Sequence, residues 1–177
     1  MHIAVIARVL GMLMMIFSLT MLSPILVALI YEENTTPMFL LAFAITQLVG
    51  LAFWLPSRGR MGELRTRDGF FVTVFFWLVL STFGTLPLMF SEATHLSFVD
   101  ALFESISGLT TTGATVLSGL DDLPRSILYY RQQLQWLGGI GIVVIAVAIL
   151  PMLGVGGMQI YRAETPGPIK DAKLTPR

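Results

Sequence analysis

The stretch SGLTTTGATV, from Ser107 to Val116, contains no acid, base, thiol or imidazole. The only chemistry open to Thr110, Thr111, Thr112, Gly113 and Ala114 is that of oxygen: backbone carbonyls, with threonine hydroxyls beside them. Carbonyl oxygens arranged in rings replace the hydration shell of a dehydrated cation. Gly113 has no Cβ, so it can take backbone angles closed to other residues and turn its carbonyl toward an axis. Threonine adds a hydroxyl oxygen and a methyl group that packs on a supporting wall. No titratable side chain is required.

Such a loop needs an element to aim it. The preceding run FVDALFESISGL opens with Ser97 at an N-cap position and Asp100 three residues on, close to a capping box. Gly108 reads as its terminator. About a dozen residues suit a re-entrant or buried helix and are too few to cross a bilayer. A helix C-terminus carries about half a negative charge, which favours a cation beyond it. Non-helical backbone at membrane depth is tolerated only where it packs in protein or lines a cavity. Unpaired carbonyls there cost several kcal/mol each unless something compensates. The competing reading is a non-conducting scaffold or assembly subunit, in which the Thr-Gly stretch is a polar kink that only packs helices.

Composition fixes the setting. Of 177 residues, 55% are hydrophobic and 12% charged, with a mean hydropathy of +0.78. Soluble domains carry about a quarter charged residues, so the class is an all-α integral membrane protein. A formal net charge of zero gives no reason to expect nucleic acid. The absence of cysteine excludes disulfides, iron–sulfur clusters and thiolate zinc sites within the chain. His2 and His95 are far apart and make a poor metal pair, and Gly138-Gly139-Ile140-Gly141 fails the dinucleotide-binding template. No organic cofactor and no enzyme activity are expected; membrane lipid is the surrounding partner.

Apolar runs fall at about 3–30, 38–55, 70–90 and 127–153, each long enough to span. The first is read as a retained span and not a signal peptide. Pro24 and Pro87 sit near span ends, where neighbours can satisfy freed carbonyls. Trp54, Trp77, Tyr129, Tyr130 and Trp136 include interfacial anchors. Gln47, in the second span, is expected to bond a neighbouring helix.

With four spans and a segment that dips in and returns, every basic residue except Arg125 and Arg131 falls on one side. The positive-inside rule makes that side cytoplasmic. Glu32, Glu33, Glu92, Asp100, Glu104, Asp121 and Asp122 then give an acidic outer face, which raises local cation concentration. Arg131 and Gln135, four apart, share a helix face at the outer end of the last span, with Gln132 beside them. Arg131 is the candidate brace for the back of the Thr-Gly loop.

The order span, short helix, TTTGAT, span resembles the M1–P–M2 unit of potassium channels. FESISGLTTTGATVLSGLDDLP, followed by YYRQQLQWLGGIGIVVIAVAILPMLGVGGMQIYRAE, is similar to the first pore repeat of the Trk/Ktr/HKT superfamily, in particular its bacterial Trk potassium uptake branch. GELRTRDGF and the two leading spans also resemble that family's N-terminal region. The resemblance implies two leading transmembrane helices (1–56), a cytoplasmic basic loop (57–68), one pore repeat (69–157) and a cytoplasmic lead-in to further repeats (158–177). Within the repeat it places M1 at about 69–91, the pore helix at 97–109, the filter at 110–114 and M2 at 126–153.

Potassium is the implied substrate, held by backbone carbonyls of Thr111, Thr112 and Gly113. In plant relatives a serine at the Gly113 position goes with sodium preference, so glycine favours potassium. Four such repeats surround one pore in the family, and this chain carries one. The resemblance further implies a homodimer of full-length chains and a cytosolic nucleotide-binding regulatory subunit of TrkA type. The implied location is the bacterial inner membrane, crossed several times, with both ends of this segment cytoplasmic.

Overall fold

The computed structural model describes residues 3–58 and 66–149, with side chains for 3–58 and 68–143. The elements are α1 (Ile3–Thr20), α2 (Ser23–Ile30), α3 (Thr36–Trp54), α4 (Thr66–Gly84), α5 (Leu86–Phe90), α6 (Phe98–Leu109) and α7 (Arg125–Ile149). Short 3₁₀ turns follow α3 at Leu55–Ser57 and precede α7 at Leu120–Asp122. Among the described residues there is no strand, and three stretches are long and apolar enough to cross a membrane: Ile3–Ile30, Thr36–Ser57 and Asp68–Phe90. The chain is a multi-pass all-α membrane protein. The fourth expected run, 127–153, passes the end of the described residues. Most of the basic loop, all of the basic tail and the glycines at 154, 156 and 157 also lie outside them.

Two of the spans are broken, each by a proline. Proline lacks an N–H and clashes with the preceding turn, but it is tolerated in the first turn of a helix. Pro24 and Pro87 accordingly sit in the first turns of α2 and α5, so each span is two helices end to end. Carbonyls beside both breaks take donors from side chains. The Thr20 carbonyl accepts from Ser23 Oγ at 2.8 Å and from Gln133 Nε2 of α7 at 2.9 Å. The Thr82 carbonyl accepts from the Thr85 hydroxyl at 2.5 Å.

Without a hydrophobic force between helices in lipid, close backbone approach and interhelical hydrogen bonds hold a bundle together. α1 and α3 cross at glycines: a Cβ on Gly11 would lie 2.7 Å from the Gly50 carbonyl oxygen. Two turns further along α1, Ser18 Oγ donates to Gln47 Oε1 at 2.6 Å, the neighbour that Gln47 needs. The core then joins α3, α5, α6 and α7 through Phe39, Leu88, Ala101, Leu109, Ile127 and Tyr130. Tyr130 is a correction to the sequence reading: it is no interfacial anchor but is 1% exposed. Its hydroxyl donates to the carbonyl of Gly84, the last residue of α4, at 2.9 Å. A helix end leaves carbonyls without intrahelical partners, and burial of the tyrosine there is offset by that bond. Residues up to Ile140 form one compact unit, which holds every contact described below; a second unit begins at Gly141.

Candidate functional site

α6 starts as its sequence foretells. Ser97 has extended backbone angles, and its Oγ accepts from the Asp100 N–H at 3.2 Å while donating to the Asp100 carboxylate at 2.7 Å. Its buried face carries Ala101, Glu104, Ser105 and Gly108, at helical spacing. Ser105 Oγ fixes the helix on α4 by donating to the Ser81 carbonyl at 2.7 Å.

The end of α6 differs from the sequence reading. Gly108 does not terminate the helix; Leu109 is the last helical residue and Thr110 the C-cap. The Thr111 N–H bonds the Gly108 carbonyl and the Thr112 N–H the Ser107 carbonyl, each at 2.9 Å. That is a Schellman closure, which needs left-handed backbone one residue past the cap. Thr111 supplies it at φ 57°. A β-branched residue there is a genuine outlier, costing about 1–3 kcal/mol, a strain found at functional sites. Gly108 serves packing instead: a Cβ on it would lie 3.0 Å from Leu134 Cβ on α7.

The closure uses up the carbonyls of Ser107 and Gly108. Farther out, the Ser107 hydroxyl donates to the Ala114 carbonyl at 2.6 Å, turning that oxygen back toward the helix. Between these points, and among the described residues, no hydrogen-bond donor reaches the carbonyl oxygens of Thr111, Thr112 or Gly113. Gly113 sits at φ +75°, and a Cβ built on it would meet nothing within 4 Å. Thr110 Oγ1 donates to the Ile106 carbonyl at 2.8 Å, and the Thr112 hydroxyl lies 2.8 Å from Thr110 Oγ1. The five residues Thr110–Ala114 are exposed along one surface of this unit.

The returning limb of the loop hangs on one carboxylate. Glu104 Oε1 accepts from the Thr115 hydroxyl, from the Val116 N–H at 2.7 Å and, at longer range, from the Leu117 N–H at 3.4 Å. Glu104 Oε2 takes Arg131 Nε and a terminal guanidinium nitrogen, both at 3.0 Å. The pair is buried, the side chains being 2% and 11% exposed. Glu104 therefore does not belong to an acidic outer surface as its charge alone suggested. Its place on the face of Ala101, Ser105 and Gly108 was the signal that separated it from the exposed Asp121 and Asp122. Arg131 reaches the loop through Glu104. Gln132 is exposed, and Gln135 is half-buried.

α7 seats the end of α6. Gly138 lies against the Leu109 carbonyl so closely that a Cβ would fall 1.9 Å from its oxygen. The helix terminus and the first loop residues are thus fixed from behind by a backbone contact. A loop held this way presents carbonyl dipoles fixed in place, with threonine hydroxyls beside them. Among the described residues no cluster of histidine and acidic side chains could hold a transition or divalent metal.

Residues 35–177 match the TrkH family, described as cation transport protein. The chain is 60% identical over 177 residues to the Trk system potassium uptake protein TrkH of Halomonas elongata, covering all of this chain and 37% of that protein. It is 56% identical over the same length to the protein of that name from Escherichia coli, again 37% of the relative. The fold superposes on the crystal structure of the potassium transporter TrkH from Vibrio parahaemolyticus with a TM-score of 0.84 at 50% identity, covering 93% of this chain and 35% of that one. The chain thus spans a little over a third of the length of the relatives it matches.

Proposed function

This chain belongs to the TrkH family of cation transport proteins, and from that membership we propose that it takes part in potassium uptake, supplying one limb of a carbonyl-lined filter. The observation that carries this reading is the row of carbonyls at Thr111, Thr112 and Gly113, to which no donor among the described residues comes, set beyond the negative end of α6. Oxygens so placed can replace the water around a dehydrated potassium ion. The Ala114 carbonyl, held by Ser107, marks the edge of the lining. One limb cannot surround an ion, so the pore is completed by three further repeats, as the family's architecture implies. The ion passes down its electrochemical gradient, with no bond made or broken in the protein.

In this reading α4–α5, α6 and α7 act as M1, pore helix and M2 of one repeat, and α1–α3 are leading helices outside the pore. Basic residues clustered around Arg58–Arg67 and in the tail support a cytoplasmic side for that face under the positive-inside rule, and the family reading puts the chain in a bacterial inner membrane. The α6 segment then enters from the outer side. A homodimer of full-length chains and a cytosolic nucleotide-binding subunit of TrkA type complete the assembly.

Expression of the protein at its full natural length in cells lacking potassium uptake tests the reading. Growth on low potassium is the expected result; no uptake by correctly inserted protein returns the chain to a packing role. Gly113→Ser sharpens the test. A Cβ at φ +75° adds strain of roughly 1–2 kcal/mol and disturbs the carbonyl beside it. Potassium-over-sodium discrimination is expected to fall about tenfold, the factor that 1.4 kcal/mol represents. An unchanged ratio removes Gly113 from the filter.

A further inference from the structure

The α2–α3 loop, outside the proposed pore repeat, reaches across to the start of α7. Glu33 Oε1 accepts from the Arg125 N–H at 2.5 Å and Oε2 from the Ser126 N–H at 3.0 Å. Thr35 Oγ1 and Ser126 Oγ are hydrogen-bonded at 2.7 Å. The first N–H groups of a helix have no intrahelical partner, and a carboxylate there is favoured by the helix dipole as well. Two turns along, Gln133 Nε2 donates to the Thr20 carbonyl and, at 2.7 Å, to Ser23 Oγ, at the break between α1 and α2. Arg131, which holds Glu104 and through it the returning limb of the loop, lies between these ties. Both therefore fix the segment of α7 that carries the brace, from the leading part of the chain outside the proposed pore repeat.

We infer that Glu33 is a positioning residue for the filter, holding α7 at the depth where Arg131 and Glu104 keep the Thr115–Leu117 limb in place. This rests on the filter reading above. Both Glu33 oxygens are engaged by backbone N–H groups, which ties the carboxylate to the start of α7. Its effect on transport runs through α7 alone.

The test measures potassium uptake by the full-length protein in uptake-deficient cells, at matched membrane amounts and at low and high ionic strength. Glu33→Ala is expected to raise KM for potassium and lower the potassium-to-sodium ratio about fivefold, the factor matching a lost cap of about 1 kcal/mol. The shift persists at high ionic strength, where a surface attraction is screened. Glu33→Gln keeps one accepting oxygen and falls between; it also serves as the readout if the alanine variant does not reach the membrane. In a Glu33→Ala/Pro124→Asp double variant, α7 regains a cap from its own chain. It should recover membrane abundance while KM stays high, because the tie to the leading helices is still missing. Full recovery of KM in the double variant, a shift that vanishes at high ionic strength, or wild-type KM and ratio in Glu33→Ala each overturns the assignment. Absence of uptake by the wild-type protein instead refutes the filter reading beneath it.

Discussion

Glu104→Ala is expected to abolish potassium uptake while the protein still inserts in the membrane. Among the described residues, Glu104 binds both the returning limb of the loop and Arg131 of α7. Its removal frees the Thr115 hydroxyl and the Val116 N–H and leaves the Arg131 guanidinium buried without its carboxylate. Breaking a buried ion pair by deleting one partner costs about 3–5 kcal/mol, whereas replacing both partners with apolar groups is often neutral. At about 1.4 kcal/mol per factor of ten, such a loss makes the native loop at least a hundredfold less favoured. The expected uptake rate falls by that order, with a lowered melting temperature in detergent. A Glu104→Ala/Arg131→Met double variant should recover stability, since no orphan charge remains, but not uptake, since the limb is still unheld. Recovery of both would reduce the pair to a stability role.

Gly138→Ala is the second large effect. The added methyl would lie 1.9 Å from the Leu109 oxygen, a backbone atom that no rotamer change can move aside. Relief requires α6 or α7 to shift by roughly 1 Å, against a tolerance of about 0.5 Å for a binding constellation. Overpacking of this kind typically costs about 1–3 kcal/mol, so the protein is expected to be made and inserted. Its potassium-to-sodium ratio and its KM for potassium should change together, because the end of α6 sets where Thr110 to Gly113 begin. Gly139→Ala, one residue on, meets nothing within 4 Å and is the matched control with wild-type transport.

Much of this was legible in the chain because its signals are local. Ser97 and Asp100 announce the start of α6, and the length of the run from Phe98 to Leu109 separates it from the spans. The three span-capable stretches follow from apolar run length, but Pro24 and Pro87, read as lying near span ends, in fact divide two of them into paired helices. What the sequence did not reveal depends on partners distant along it. Gly108 looks like a helix stop because glycine commonly is one, yet α7 approaches so closely there that glycine is needed for packing. The stop falls on Thr111, a residue local preference would reject. Glu33 carries the same charge as Glu32, and only the fold separates the one that binds N–H groups from the one left in solvent. Glu104 has a signal in its place on the face of Ala101, Ser105 and Gly108, but its partners on the loop and at Arg131 come from the fold. Tyr130 beside Tyr129 reads as a pair of interfacial rings, and a free carbonyl at Gly84 decides that one of them is buried. Gln133 drew no attention, since its partner carbonyl exists only because α1 breaks at Thr20.

We propose that potassium is bound by the backbone oxygens of Thr111, Thr112 and Gly113. The most direct measurement is the anomalous scattering of rubidium, a potassium substitute, in crystals of the full-length protein. A rubidium peak in contact with those three carbonyls is expected, weakened in Gly113→Ser crystals. Rubidium bound only at acidic side chains, with no peak beside the Thr-Gly loop, would contradict it.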